Sequence, residues 1–209
     1  MFPYLYLASQ SPRRQELLKQ MGVEFKLLLA DAHEDVESLE IAEPGEPALT
    51  YVKRVTLAKL AASVTRLESR NLSWAPILCA DTTVSIELKD GQPTILGKPN
   101  NDEDAMRILQ RLSGQTHQVH TAIALQKSID QKPELFISSS NVSFEQLDPH
   151  QIHAYIATGE HIGKAGAYGI QGLAACFIKH IEGSFSGIMG LPVFETAQII
   201  KNVVKYKLN

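Results

Sequence analysis

Apolar positions fall into short blocks whose period switches between two and about 3.6 residues, and the switches predict the secondary structure. Leu5, Tyr6 and Leu7 are the apolar end of a strand near 4–8. Leu17, Leu18 and Met21 then recur at helical spacing, which predicts a helix near 12–21 ended by Gly22. Ser11-Pro12 suits its start, because serine can cap free backbone N–H groups and proline has no N–H to lose. "FKLLLA" at 25–30 predicts a second strand, and an acidic loop follows it. Tyr51, Val52, Val55, Leu57, Leu60 and Ala61 predict a helix from about 47 to 70. "APILCAD" reads as a short strand buried on both faces and ending at Asp81. "TVSIELKDGQPTIL" reads as a hairpin with Asp90-Gly91 at its turn.

The second half continues the alternation. "NDEDAMRILQRLSG" predicts a helix with acidic residues in its first turn and Gly114 at its end. "HQVHTAIALQ" and "LFISSSNVSFEQL" are long strands, and "DPHQIHAYIATG" is a helix capped by Asp148. A glycine-rich loop, a strand at "AACFIKHI" and a helix from about Pro192 complete the chain. This order predicts α/β or α+β architecture with a mixed sheet. With no internal repeat, low-complexity tract or linker, residues 1–209 are expected to form one folding unit.

Composition narrows the function. A chain of 209 residues, 44% hydrophobic, can bury a real core. Its net charge of −3, mixed along the sequence, gives no reason to expect a nucleic-acid polymer as partner. Any anionic ligand must therefore be attracted by a local basic site. Cys79 and Cys176 lie in apolar runs and read as buried small hydrophobes, neither a disulfide framework nor a zinc set. No apolar stretch approaches the roughly 20 residues of a membrane span. The first apolar run is shorter than the about seven to fifteen residues of a secretory signal, and its arginines follow it. A soluble, cytoplasmic protein is expected.

One conflict in the pattern points to chemistry. Arg13 and Arg14 stand in the first turn of a helix, where partial positive charge already favours acidic side chains. With Ser9 and Ser11 they would make a phosphate cradle, although a solvated arginine pair is as ordinary an explanation. Asp81, followed by Thr82 and Thr83, sits where open α/β sheets place active sites, or else caps a turn. Lys98 in "LGKP" lies between two residues that restrict the backbone. Gly163, Gly166, Gly169 and Gly172, at spacing three with Lys164 and Gln171, favour a binding wall over a structural loop. The interval excludes a Walker A loop. His117 and His120 point to opposite faces of a strand, and nothing completes a zinc set around His150 and His153. The acidic loop around Asp31, Glu34, Asp35 and Glu37 could supply one oxygen to Mg²⁺, which needs few protein carboxylates when phosphates and water provide the rest. Together these pieces describe a site for a metal-bound polyphosphate.

"LASQSPRRQELL", "ADTTV" with "ILGKP", "LSGQTHQVHTAIAL", "KAGAYGIQG" and "GSFSGIMGLP", in this order, resemble the Maf family of nucleoside triphosphate pyrophosphatases. The resemblance runs from residue 4 to the last helix. It implies an α/β chain of the Maf/ITPase-like type, with a curved mixed sheet flanked by helices and two lobes around a central cleft. It further implies Mg²⁺ or Mn²⁺ dependence, a homodimer, and cleavage of a nucleoside triphosphate to the monophosphate and pyrophosphate. The family's catalytic acid falls on Asp81, its phosphate-binding positions on Ser9, Arg14, Lys59 and Lys98, and its second acidic position on Glu34. Asp81 and Glu34 are then the expected metal ligands. Arg13-Arg14, Asp81-Thr82 and Ile170-Gln171-Gly172 resemble the branch acting on dTTP and UTP, so Arg13, Thr82 and Gln171 form the expected specificity set. The chemistry agrees: a glutamine amide both donates and accepts, matching the adjacent carbonyl and N–H of uracil or thymine. Two other readings are kept. One is a nucleotide-binding regulator of septum formation acting through a partner; the other is a phosphatase releasing orthophosphate.

Overall fold

The computed structural model describes residues 1–87 and 93–208. Those residues form seven strands: β1 (Leu5–Leu7), β2 (Phe25–Leu27), β3 (Ile77–Glu87), β4 (Pro93–Leu96), β5 (Thr116–Gln126), β6 (Glu134–Phe144) and β7 (Ile178–Glu182). They share one sheet in the order β2-β1-β3-β5-β6-β7, with β4 paired to β3 off that path. β1 runs parallel to β2 and β3, whereas every pairing from β3 through β7 is antiparallel. The sheet is mixed, as expected. Asp90-Gly91, the expected hairpin turn, lies outside the described residues.

Six α-helices flank the sheet among these residues: α1 (Pro12–Met21), α2 (Ala48–Ser69), α3 (Asp102–Leu112), α4 (Pro149–Ala157), α5 (Phe185–Met189) and α6 (Val193–Ile200). α1 opens at Pro12 as expected, but the Ser11 side chain caps nothing. The hydroxyl that serves this turn belongs to Ser9, which accepts from the Ser11 N–H at 3.3 Å. α4 starts on a capping box made by Asp148 and Gln151. In α2 the apolar positions Val52, Val55, Leu60 and Leu67 are buried, each worth roughly 1.5–3 kcal/mol. Lys59, Ser63 and Arg66 recur on one side of the same helix at helical spacing.

Several expectations need correction. "APILCAD" does not end at Asp81; β3 continues to Glu87, because β5 pairs it without interruption from Ile77 to Ser85. "AACFIKHI" is only half strand, with Leu173–Phe177 forming a 3₁₀ turn before β7. α5 was not anticipated; Ser184 starts it by accepting from the Gly187 N–H. Cys79 is buried, but Cys176 is exposed, since it lies on that 3₁₀ turn rather than in a sheet.

The decisive feature is on one edge of β3. β1 pairs it only at Ile77 and Leu78, and β4 takes up the same edge only from Val84. Cys79–Thr83 therefore have β5 on one side and a gap in the strand pairing on the other. The chain leaving β1 at Ala8–Ser11 and the chain leaving β4 at Gly97–Pro99 flank this gap.

Candidate active site

The gap opens into a cleft of about 680 Å³. Successive strand residues point to opposite faces of a sheet. Asp81 reaches toward α2, where Lys59 Nζ meets its Oδ1 at 2.6 Å. Thr82 reaches the other way, toward α1, where Arg14 Nη2 donates to its Oγ1 at 3.2 Å. Both residues nonetheless line the cleft, because the missing strand lets it reach around the edge of β3.

Arg14 is held on three sides. Its Nε donates to the Gly190 carbonyl at 2.8 Å, its Nη1 to Ser9 Oγ at 3.0 Å and its Nη2 to Thr82. Thr121 donates to the Gly187 carbonyl at 2.7 Å, so the Thr82 proton is left for Thr121 Oγ1, 2.9 Å away. These neutral oxygens orient the guanidinium without neutralising it. Burial pulls its pKa down, opposed by the nearby Asp81 charge. Arg13 donates from Nε to the Met189 carbonyl at 3.2 Å, and burial lowers its pKa as well. Among the described residues neither arginine has a carboxylate within ion-pair distance. The helix start thus carries two desolvated cations that an anionic ligand would satisfy.

On the α2 side the charges are linked. Lys59 Nζ lies 2.6 Å from both Asp81 Oδ1 and Glu40 Oε1, and the other oxygen of Glu40 takes Lys98 Nζ at 2.6 Å. Burial pushes the Glu40 pKa up, but the two lysines outweigh it and the net shift is downward. α2 fixes this carboxylate through its backbone. Tyr51 donates its hydroxyl to the Glu40 carbonyl at 2.8 Å, and Arg54 Nη2 donates to the Ile41 carbonyl at 2.9 Å.

Glu34, the expected second acid, stands elsewhere. Arg66 grips it with Nε at 2.9 Å from each oxygen and Nη2 at 2.6 Å from Oε2, and Arg70 adds a contact at 3.4 Å. This fork drives the Glu34 carboxyl down to about 2. It is not among the residues lining the cleft, where the acidic loop instead presents Glu37 and Glu40. The sequence reading missed Glu40 because no spacing rule separates it from its acidic neighbours. Only the grip of Tyr51 and Arg54 on residues 40 and 41 does.

The far wall is the glycine loop. Gly166 has a positive φ of 71°, and an added Cβ would stand 2.9 Å from Val84 Cγ2. Its N–H donates to the Gly97 carbonyl at 3.0 Å, tying the loop to the turn that carries Lys98. Lys164 and Gln171 complete the wall. The structure therefore brings Ser9, Arg13, Arg14, Lys59, Asp81, Thr82, Lys98 and Gln171 to one cleft and leaves Glu34 out. Six basic side chains and three carboxylates line it, in a chain whose overall charge is −3.

Asp81 and Glu40 share Lys59 and so face a common point. The described residues contain no group of three His, Cys, Asp or Glu side chains suited to a metal. Two converging carboxylates fit a hard cation such as Mg²⁺, which takes one or two from protein and completes its shell with phosphate and water.

The Maf-like protein family model matches residues 4–203. A dTTP/UTP pyrophosphatase of Albidiferax ferrireducens is 51% identical over 202 residues, covering 97% of this chain and 98% of that relative. The dTTP/UTP pyrophosphatases of Cupriavidus pinatubonensis and Burkholderia lata are 51% and 52% identical, each across 96% of this chain and at least 93% of the relative. The chain belongs to the Maf family. No helix of the described residues is long and apolar enough to cross a membrane.

Proposed function

We propose that this chain is a nucleoside triphosphate pyrophosphatase that hydrolyses dTTP and UTP to the monophosphate and pyrophosphate. One observation carries the reading: a cleft with an excess of cations surrounds a carboxylate held by a lysine on a strand edge. Asp81 takes a proton from the attacking water as that water adds to the α-phosphorus. Arg14, Lys59 and Lys98 neutralise charge growing on the phosphate oxygens and the departing pyrophosphate. Ser9 keeps Arg14 aimed. Asp81 and Glu40, rather than Glu34, would hold Mg²⁺ or Mn²⁺, which when bound withdraws charge from the phosphate oxygens. Arg13 and Gln171 face the nucleoside, and Thr82 contributes to specificity by fixing Arg14.

The relatives' printed activity supports the choice of substrate. A panel of canonical and modified triphosphates, scored for both phosphate products, tests the reading. Pyrophosphate and monophosphate should appear in equal amounts, fastest from dTTP and UTP. Orthophosphate as first product would replace the reading with a phosphatase, and nucleotide binding without turnover would point to a regulator.

A further inference from the structure

Behind the glycine wall, outside the cleft lining, lies Glu160. Its Oε2 accepts from the Leu173 N–H at 2.8 Å, and its Oε1 from the Tyr155 hydroxyl at 3.0 Å and the Ala174 N–H at 3.4 Å. The Tyr155 oxygen in turn accepts from the Gly169 N–H at 3.3 Å. Lys164 Nζ donates to the Glu160 carbonyl. One carboxylate thus fixes both ends of the span 169–173, directly at Leu173 and through Tyr155 at Gly169. Gln171 is the midpoint of that span.

The glycines fit this arrangement. Gly172 has φ −107°, open to any residue, yet an added Cβ would stand 2.3 Å from Glu160 Oε2. A Cβ on Gly169 would stand 3.1 Å from Lys164 Cε. A side chain at 172 would therefore displace the Glu160 carboxylate from its place, although the backbone conformation there suits any residue.

We propose that Glu160 is the positioning residue for base recognition: it sets the height and orientation of Gln171 against the pyrimidine without touching substrate. The inference rests on the base-reading role of Gln171 stated above. A bound backbone span presents a side chain with little reorganisation, and loss of such positioning weakens every contact that the side chain makes. Glu160→Ala removes all three acceptances. Glu160→Gln keeps the size but turns one acceptor into a donor, facing an N–H or the phenol.

The test compares Glu160→Ala, Glu160→Gln, Tyr155→Phe and Gln171→Glu by kcat and KM on dTTP, UTP, dATP and GTP. Inorganic triphosphate serves as an inhibitor that probes the phosphate half alone. Glu160→Ala should raise KM for dTTP and UTP by about tenfold or more and erode their preference over purines. Its kcat and the triphosphate inhibition constant should stay within about twofold of the parent. Glu160→Gln and Tyr155→Phe should give smaller losses of the same kind, and they stand in if the alanine variant does not fold. A general structural defect would instead weaken triphosphate inhibition in parallel, and that result overturns the proposal. So does unchanged base preference in folded Glu160 variants when Gln171→Glu alters it. Should Gln171→Glu leave base preference intact, the reading of Gln171 fails first, and the role of Glu160 falls with it.

Discussion

Two carboxylates leave the acidic loop six residues apart, and α2 receives them on one stripe but with different chemistry. Arg66 takes Glu34, and Lys59, seven residues earlier, takes Glu40. The arginine is 5% exposed and also donates to the Leu28 carbonyl and Ser63 Oγ, both at 3.1 Å. Its planar fork and fixed partners make that pair part of the architecture. The lysine is a point charge that touches two carboxylates, and one of these reaches a second lysine. Such a cluster can exchange partners with phosphate or a cation at little geometric cost. One charge pair thus ties the acidic loop to the fold with its carboxylate outside the cleft, and the other brings both its lysine and its carboxylate into the cleft.

The comparison is sharpest at the carboxylate that the lysine shares. Asp81→Asn should lower kcat on dTTP by about 10² to 10⁴, the worth of a positioned base, while retaining most triphosphate affinity. Turnover near the parent's would remove Asp81 from the reaction. Glu40→Gln should cost at least ~10-fold in kcat/KM and raise the Mg²⁺ concentration needed for half-maximal rate. It should leave the unfolding midpoint almost unchanged.

Glu34→Gln should do the reverse. With Arg66 buried and its partner neutralised, stability should fall by about 1–3 kcal/mol in urea unfolding. The lower part of that range is expected, because the Glu34 side chain is 32% exposed and solvent screens it. Activity at 25 °C should stay within about threefold. Equal losses of activity in Glu34→Gln and Glu40→Gln would break the distinction between scaffold and site.

The smallest effect is in pH. Glu34 has its carboxyl pulled from 4.5 to about 2 by Arg66, so the folded state holds fewer protons than the unfolded chain between those values. The pair's stabilisation is complete above pH 4.5 and disappears as pH falls toward 2. Urea midpoints measured from pH 5 downward should decline more gently in Glu34→Gln than in the parent. Parallel curves would assign the acid sensitivity to other groups.

Legibility in the sequence followed the range of the interactions. α1, α2, α3 and α4 lie close to their expected bounds because caps and apolar period are local. α5 was hidden by its length of five residues and its internal glycine. The strand "APILCAD" read as ending at Asp81, with a separate hairpin strand beginning at Thr83, because the run turns polar there. Only the gap between β1 and β4, a property of three strands together, makes the polarity of Asp81, Thr82 and Thr83 affordable. Arg13, Arg14, Lys98 and Lys164 stood out in the residue pattern and Lys59 only through the Maf resemblance, and none could be placed; the choice of Glu40 over Glu34 depended on contacts made across the fold by Tyr51 and Arg54.

The interrupted edge of β3 also acts as a counting device. Two residues after Leu78 bring the chain to Ala80, and the next side chain must be the one that meets Lys59. Adding or deleting a single residue between Leu78 and Asp81 would swap the faces, sending the acid toward Arg14 and leaving Lys59 without it. Among relatives that keep this chemistry, length variation should therefore spare that interval, however freely the surrounding loops differ.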